Sequence, residues 1–249
     1  MYAVRSDWFQ GYPDCGGSAQ SPINLAASTH SVVESTQFDL QFFPHTCAAS
    51  ELFFMANERV WEVVFGGCLQ QAPLTFNNET YNLVQIHIHS PSEHAIGGSL
   101  RAAEIHWVHV KAGTAGELLV VGVLFDVSKY GTNVELQPLW DVLDSGADST
   151  SASFDAQIYE LIPPNKVFSH YTGSLTTPPC TEVRAVASVV RKQEMTIRQA
   201  SLLVPALFCC YNTEHFSLCD AEACMRLMSL GAVCSMHPLM SVFSTNAFM

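Results

Sequence analysis

The run Gln85–His109, QIHIHSPSEHAIGGSLRAAEIHWVH, carries five of the chain's ten histidines. In Gln85-Ile86-His87-Ile88-His89 apolar and polar residues alternate with period two, which predicts a strand with Gln85, His87 and His89 on one face and Ile86 and Ile88 on the other. Glu104-Ile105-His106-Trp107-Val108 repeats the pattern and places Glu104, His106 and Val108 on a common face. The Ser, Pro and Gly residues between the two runs read as a connection. If the strands pair as neighbours, His87, His89 and His106 converge.

Three imidazoles with no fourth ligand describe a catalytic zinc centre, because structural zinc is closed by four ligands and is often cysteine-rich. A bare His-x-His on a solvent-facing strand is common and carries no such meaning alone. Here a third histidine comes from a second strand, and Gln85 and Glu104 each stand two residues before a ligand candidate. A metal-bound imidazole gives its other N–H to an acceptor that fixes the tautomer. The spacing predicts that Gln85 serves His87 and that Glu104 serves His106.

These segments resemble the α-class carbonic anhydrases, whose QFHFHW-type and AELHLVHW-type strands flank an SEH. The counterparts are Gln85–His89, Ser92-Glu93-His94 and Ala103–His109. Gln20-Ser21-Pro22-Ile23-Asn24-Leu25 and Tyr171-Thr172-Gly173-Ser174-Leu175-Thr176-Thr177-Pro178-Pro179-Cys180-Thr181-Glu182 match two further family motifs in order. The likeness runs from Trp8 to Glu182. It implies reversible hydration of carbon dioxide to bicarbonate by a hydroxide on zinc, the metal lowering the pKa of its water from about 15.7 toward 7. It assigns Thr176 to orient the nucleophile and Glu93 to accept the threonine's proton, since an ionised carboxylate can only accept. It places Val108, Val120 and Leu175 on an apolar substrate wall beside Thr177, and implies a Cys15–Cys180 disulfide. Two departures stand out. Ala185 or Val186 replaces the family's tryptophan, and Arg59 stands where the fastest members keep a shuttling histidine. Arginine stays protonated and cannot relay a proton, so proton export is expected to limit turnover; His30 and His170 are the other candidates for that task. The competing reading is a non-catalytic carbonic-anhydrase-related binding module. Those proteins typically lack a metal ligand, whereas His87, His89, His106, Glu93 and Thr176 are all present. A zinc hydrolase of the H-E-x-x-H kind is excluded by the absence of that motif.

The rest of the chain fits a single domain over residues 1–249. Hydrophobic residues make up 48% of the sequence, enough for a substantial core, and the net charge of −12 argues against nucleic-acid and anionic-lipid partners. No apolar run is long enough to span a membrane, and the first ten residues, MYAVRSDWFQ, hold no apolar signal core. Nine cysteines leave at least one free or paired with another chain. Asn78-Glu79-Thr80 is a glycosylation sequon, and with the implied disulfide it favours a secreted or otherwise oxidising location.

Strands are predicted over Phe38–Phe42, Val60–Phe65, Leu74–Phe76, Glu117–Phe125 and Glu182–Val190. Helices are predicted over Asn133–Leu143 and from Thr196 to the break at Pro205. Many short strands without βαβ alternation argue for a mainly β (α+β) fold on an antiparallel sheet with peripheral helices. The resemblance raises this to a large twisted sheet of about ten strands with zinc at the base of a cleft. Residues 206–249, rich in Cys, Met and Ser, diverge from the family; Cys219, Cys224 and His215 lie there at a spacing too loose to define a metal site.

Overall fold

In the computed structural model the described residues are 8–25, 32–33, 39–43, 46–55, 60–65, 73–127, 149–150, 154–157, 159, 162 and 168–195. Both predicted helices, Arg59, His30 and the 206–249 segment lie outside them. The strands are β1 Asn24–Leu25, β2 Val32–Val33, β3 Leu40–Phe42, β4 Thr46–Met55, β5 Val60–Phe65, β6 Pro73–Phe76, β7 Glu79–His89, β8 Ala95–Ile96, β9 Ser99–Leu100, β10 Ala103–Lys111, β11 Leu118–Val127, β12 Ser149–Thr150, β13 Phe154–Gln157, β14 Phe168–Ser174 and β15 Glu182–Met195. Among the described residues the helical elements are two 3₁₀ turns, Trp8–Gln10 and Pro13–Gly16. No helix there is long and apolar enough to cross a membrane.

One sheet dominates. Its path runs β12-β4-β5-β7-β10-β11-β15-β14-β2, and β3, β6 and β13 join it to make twelve strands. This exceeds the expected ten because short pieces at both edges pair as well. β11 and β15 run parallel, and the remaining pairs of this sheet are antiparallel. A small second sheet joins β1, β8 and β9.

The centre of the sheet is buried on both faces, as the near-continuous apolar run of β11 predicts. Leu119, Val121, Val123 and Phe125 are fully buried on one face and meet His109, Trp107, Ile105 and Ala103 across the strand gap. The opposite face of β10 carries Glu104, His106 and Val108.

β7 serves both faces only because it changes phase. Tyr81 and Leu83 are core residues at odd positions, and Ile86 and Ile88 are core residues at even ones. A bulge at Val84, unpaired while Leu83 meets His109 and Gln85 meets Val108, absorbs the shift. Such an extra residue re-aims the strand beyond it. Gln85, His87 and His89 are thereby turned to the face that His106 occupies. At the other end of β7, Asn77 and Asn78 (φ 52° and 63°) close the hairpin from β6 as a two-residue turn with both φ values positive.

His109 is fully buried beneath this layer. Its Nδ1–H donates to the carbonyl of Trp107 (3.0 Å), so Nε2 accepts from the hydroxyl of Tyr159 at 2.9 Å. Burial holds this imidazole neutral, with its pKa lowered to about 3.

The N-terminal segment is fastened to the end of β14 and the connection that follows it. Cys15 and Cys180, both buried, form a disulfide with their Cα atoms 4.8 Å apart. Beside it Ser21 and Ser174 exchange hydrogen bonds, each backbone N–H donating to the other's hydroxyl at 2.9 and 3.0 Å. Because the cross-link spans a sequence separation of 165 residues, opening it in a Cys15→Ser, Cys180→Ser double variant is expected to lower unfolding free energy by up to about 4–5 kcal/mol. Denaturant titration of the variant against the parent measures this, and equal midpoints would show that the reciprocal serine bonds hold the segment alone.

Candidate metal centre

Register brings the three histidines together. His106 on β10 stands directly opposite His87 on β7, and Glu104 stands opposite His89. Nε2 of His87 and Nδ1 of His106 are 3.1 Å apart. Oε2 of Glu93 lies 3.3 Å from Nε2 of His89 and 3.8 Å from Nδ1 of His106, so these nitrogens face the same point. The ligand atoms of the three residues all fall within 4.8 Å of one another. Burial, with His106 close by, lowers the pKa of His87 to about 3 and that of His89 well below the usual value. Both rings are therefore neutral and able to offer a lone pair.

The donor set fits zinc. Two nitrogens bound tetrahedrally at about 2.05 Å lie about 3.3 Å apart, close to the separation seen between His87 and His106. Nε2 of His89 is buried without a hydrogen bond, a costly arrangement unless a partner of another kind takes it up.

Glu104 orients His106. It is fully buried, and Oε2 accepts the backbone N–H groups of Glu93 and His94 at 3.0 and 2.9 Å. Oε1 lies 2.7 Å from Nδ1 of His94 and 2.9 Å from Nε2 of His106. Burial alone would raise its pKa, but these imidazoles outweigh burial and hold it well below the carboxylate range. Burial works against charge on His106, but the Glu104 carboxylate at Nε2 outweighs it and raises the pKa; a metal taken by the Nδ1 that faces His87 would leave the proton on Nε2, held by the carboxylate.

Gln85 does not play the matching part for His87. Nδ1 of His87 is buried with no hydrogen bond, and Gln85, half-buried, meets Val108 across the strands. Same-face residues two apart on a strand are separated by about 6.6 Å. A glutamine bridges that gap only when it folds back along the strand.

The other expected site residues frame the three rings. The hydroxyl of Thr176 hydrogen-bonds the buried Glu93 carboxylate. Burial raises the pKa of Glu93, while His106 and this hydroxyl act against the rise. Thr176 sits with half-buried Leu175 and Thr177 on a loop closed by Leu175 N–H to Thr181 O (3.0 Å) and Cys180 N–H to Thr177 O (2.9 Å). Val108 and Val120 pair across β10 and β11, one step along the same face from His106 and Gly122. Val186, near the place of the family's tryptophan, pairs with Val120 and Tyr171. His170 packs its ring against Phe76 at 5.4 Å between centroids.

The sequence reading left three parts unassigned. His94 donates through Nδ1 to Glu104, so in the neutral ring Nε2 accepts from the hydroxyl of Tyr171 at 2.6 Å. Tyr171 in turn accepts from Ser21 at 2.8 Å. A chain of polar contacts converging on Glu104 thus links His106 to the N-terminal segment that the disulfide fastens. The third part is Gly122, opposite His106 in register. A Cβ there would meet Oε1 of Glu104 at 2.8 Å and Cδ2 of His106 at 3.3 Å. An isolated glycine inside a strand signals such close approach, and Gly122 is the lone glycine of the predicted Glu117–Phe125 strand.

The profile of eukaryotic-type carbonic anhydrases matches residues 4–217. The chain belongs to that family. A carbonic anhydrase of Klebsiella pneumoniae is 35% identical over 130 residues, covering 52% of this chain and 50% of the relative. Alpha carbonic anhydrase 3 of Arabidopsis thaliana is 30% identical over 203 residues, covering 77% and 68%. The alignments to the first curated relatives span about half of those proteins' length. Among solved structures, the fungal α-carbonic anhydrase of Aspergillus oryzae superposes with a TM-score of 0.67 at 25% identity, over 80% of this chain and 84% of that one. The α-carbonic-anhydrase fold expected from the motifs is therefore the fold observed.

Gly122→Ala is expected to push the Glu104 carboxylate off Nε2 of His106 and to weaken zinc binding by about 10- to 100-fold, the usual cost of losing an outer partner of a metal-bound histidine. Competition with a chelator measures it. Unchanged affinity would show that the carboxylate does not position His106.

Proposed function

We propose that this protein is a zinc carbonic anhydrase that interconverts carbon dioxide and bicarbonate. The observation that carries the reading is the convergence of His87, His89 and His106 beside a Glu93–Thr176 hydrogen bond. His87 and His89 would hold the metal through Nε2 and His106 through Nδ1. Zinc bound there supplies a Lewis acid that makes a water nucleophilic near neutral pH.

The chain's own residues do the rest. Glu93, as a carboxylate, can only accept, so the Thr176 hydroxyl donates to it and keeps its lone pairs for the nucleophile's proton. That orients the attack. The backbone N–H of Thr176 is placed by the same loop to steady charge developing on the substrate oxygen. Val108, Val120 and Leu175 offer carbon dioxide an apolar wall, and Thr177 lines the same loop. Glu104 fixes the tautomer of His106, with His94 and Tyr171 behind it. The disulfide fits an oxidising compartment, secreted or lumenal.

Purified protein is expected to contain about one zinc per chain and to catalyse carbon dioxide hydration in a stopped-flow pH-indicator assay. His106→Ala is expected to lose both zinc and activity. A zinc-loaded parent without hydration activity would turn the reading to a binding module on this fold, and undiminished zinc in the variant would remove His106 from the ligand set.

A further inference from the structure

The hairpin turn between β6 and β7 holds two asparagines that differ in their chemistry. Asn77 is engaged internally: its backbone N–H donates to the carbonyl of Asp39 at 2.9 Å, and its Oδ1 accepts the Asp39 N–H at 3.2 Å. It thereby ties β3 to the hairpin. Asn78 is exposed, and among the described residues no hydrogen bond engages its carboxamide. Glu79 and Thr80 follow, both exposed, and they complete the single Asn-x-Ser/Thr triplet of the whole sequence.

We propose that Asn78 carries an N-linked glycan. The proposal rests on the oxidising-compartment reading, because the transferase that recognises the triplet works where disulfides form. In the transfer, Nδ2 of Asn78 forms a bond to C1 of the first sugar of a lipid-pyrophosphate-linked oligosaccharide. The bond from C1 to the pyrophosphate oxygen breaks, the lipid pyrophosphate leaves with the electron pair, and one amide proton passes to a base of the transferase. The Thr80 hydroxyl is the recognition element two residues on.

The fold accommodates the product. The positive φ of both turn residues aims Asn78 outward at the tip of a tight hairpin. β7 then runs from Glu79 to His89, so the glycan stands about 30 Å along the strand from His87 at about 3.3 Å per residue. It shields a turn and leaves the metal centre untouched.

The test is secretion of the full chain from a eukaryotic host, followed by peptide-N-glycosidase digestion in ¹⁸O water. The expected result is a drop in mass on digestion and an ¹⁸O-labelled aspartate at position 78. Asn78→Gln and Thr80→Ala are expected to abolish the label, whereas Thr80→Ser and Asn77→Gln retain it, and carbon dioxide hydration by Asn78→Gln equals that of the parent. Secreted protein with Cys15 and Cys180 bonded and position 78 unlabelled would overturn the proposal while leaving the compartment reading intact. Free alkylation of both cysteines in the same digest would instead overturn the compartment reading, with position 78 still read independently.

Discussion

The arrangement depends on one buried carboxylate. Glu104 has no exposure to solvent, and a charge in such a place is tolerable only when every lone pair is met. Two backbone N–H groups and two imidazoles meet it. Each also does something for the site. The backbone pair folds the Glu93–His94 corner back on β10, which delivers the Glu93 side chain to Thr176. The imidazole of His106 is turned so that Nε2 faces the carboxylate and Nδ1 faces His87. The imidazole of His94 passes the constraint on to Tyr171 and Ser21. Removing the carboxylate would unfasten all of these together, so its cost would exceed that of any one contact.

Neighbouring features make sense against that constraint. Gly122 is a glycine because the carboxylate and the His106 ring occupy the space a methyl would need. The bulge at Val84 exists because β7 must bury Tyr81 and Leu83 at one end and present His87 and His89 to the opposite face at the other. An unbroken strand could not do both.

Much of this was legible in the sequence. Period-two alternation in Gln85–His89 and Glu104–Val108 carries face assignment directly, and the paired histidines emerge from it with no tertiary information. The apolar run at β11 and the Asn-Asn turn before β7 are equally local signals. The Val84 bulge was not legible, because Leu83-Val84 is apolar throughout and a phase change inside an apolar run leaves no trace in the pattern. The second duty of Glu104, bracing the His94 corner, was hidden because it joins residues ten apart through a loop. The partner of Gln85 was not legible either. Alternation puts Gln85 on the correct face, but a face is not a contact, and the rotamer is decided by packing. The disulfide followed from family likeness alone; cysteine spacing among nine candidates leaves the pairing open.

The central claim is that strand register brings His87, His89 and His106 around one open coordination position, with Glu104 turning the His106 ring. X-ray absorption at the zinc edge of the purified protein tests it most directly. The account predicts a first shell of three nitrogens with the outer-shell scattering of imidazole and one light-atom ligand, at about 2.0–2.1 Å. A first shell containing sulfur, or four imidazoles, would contradict it.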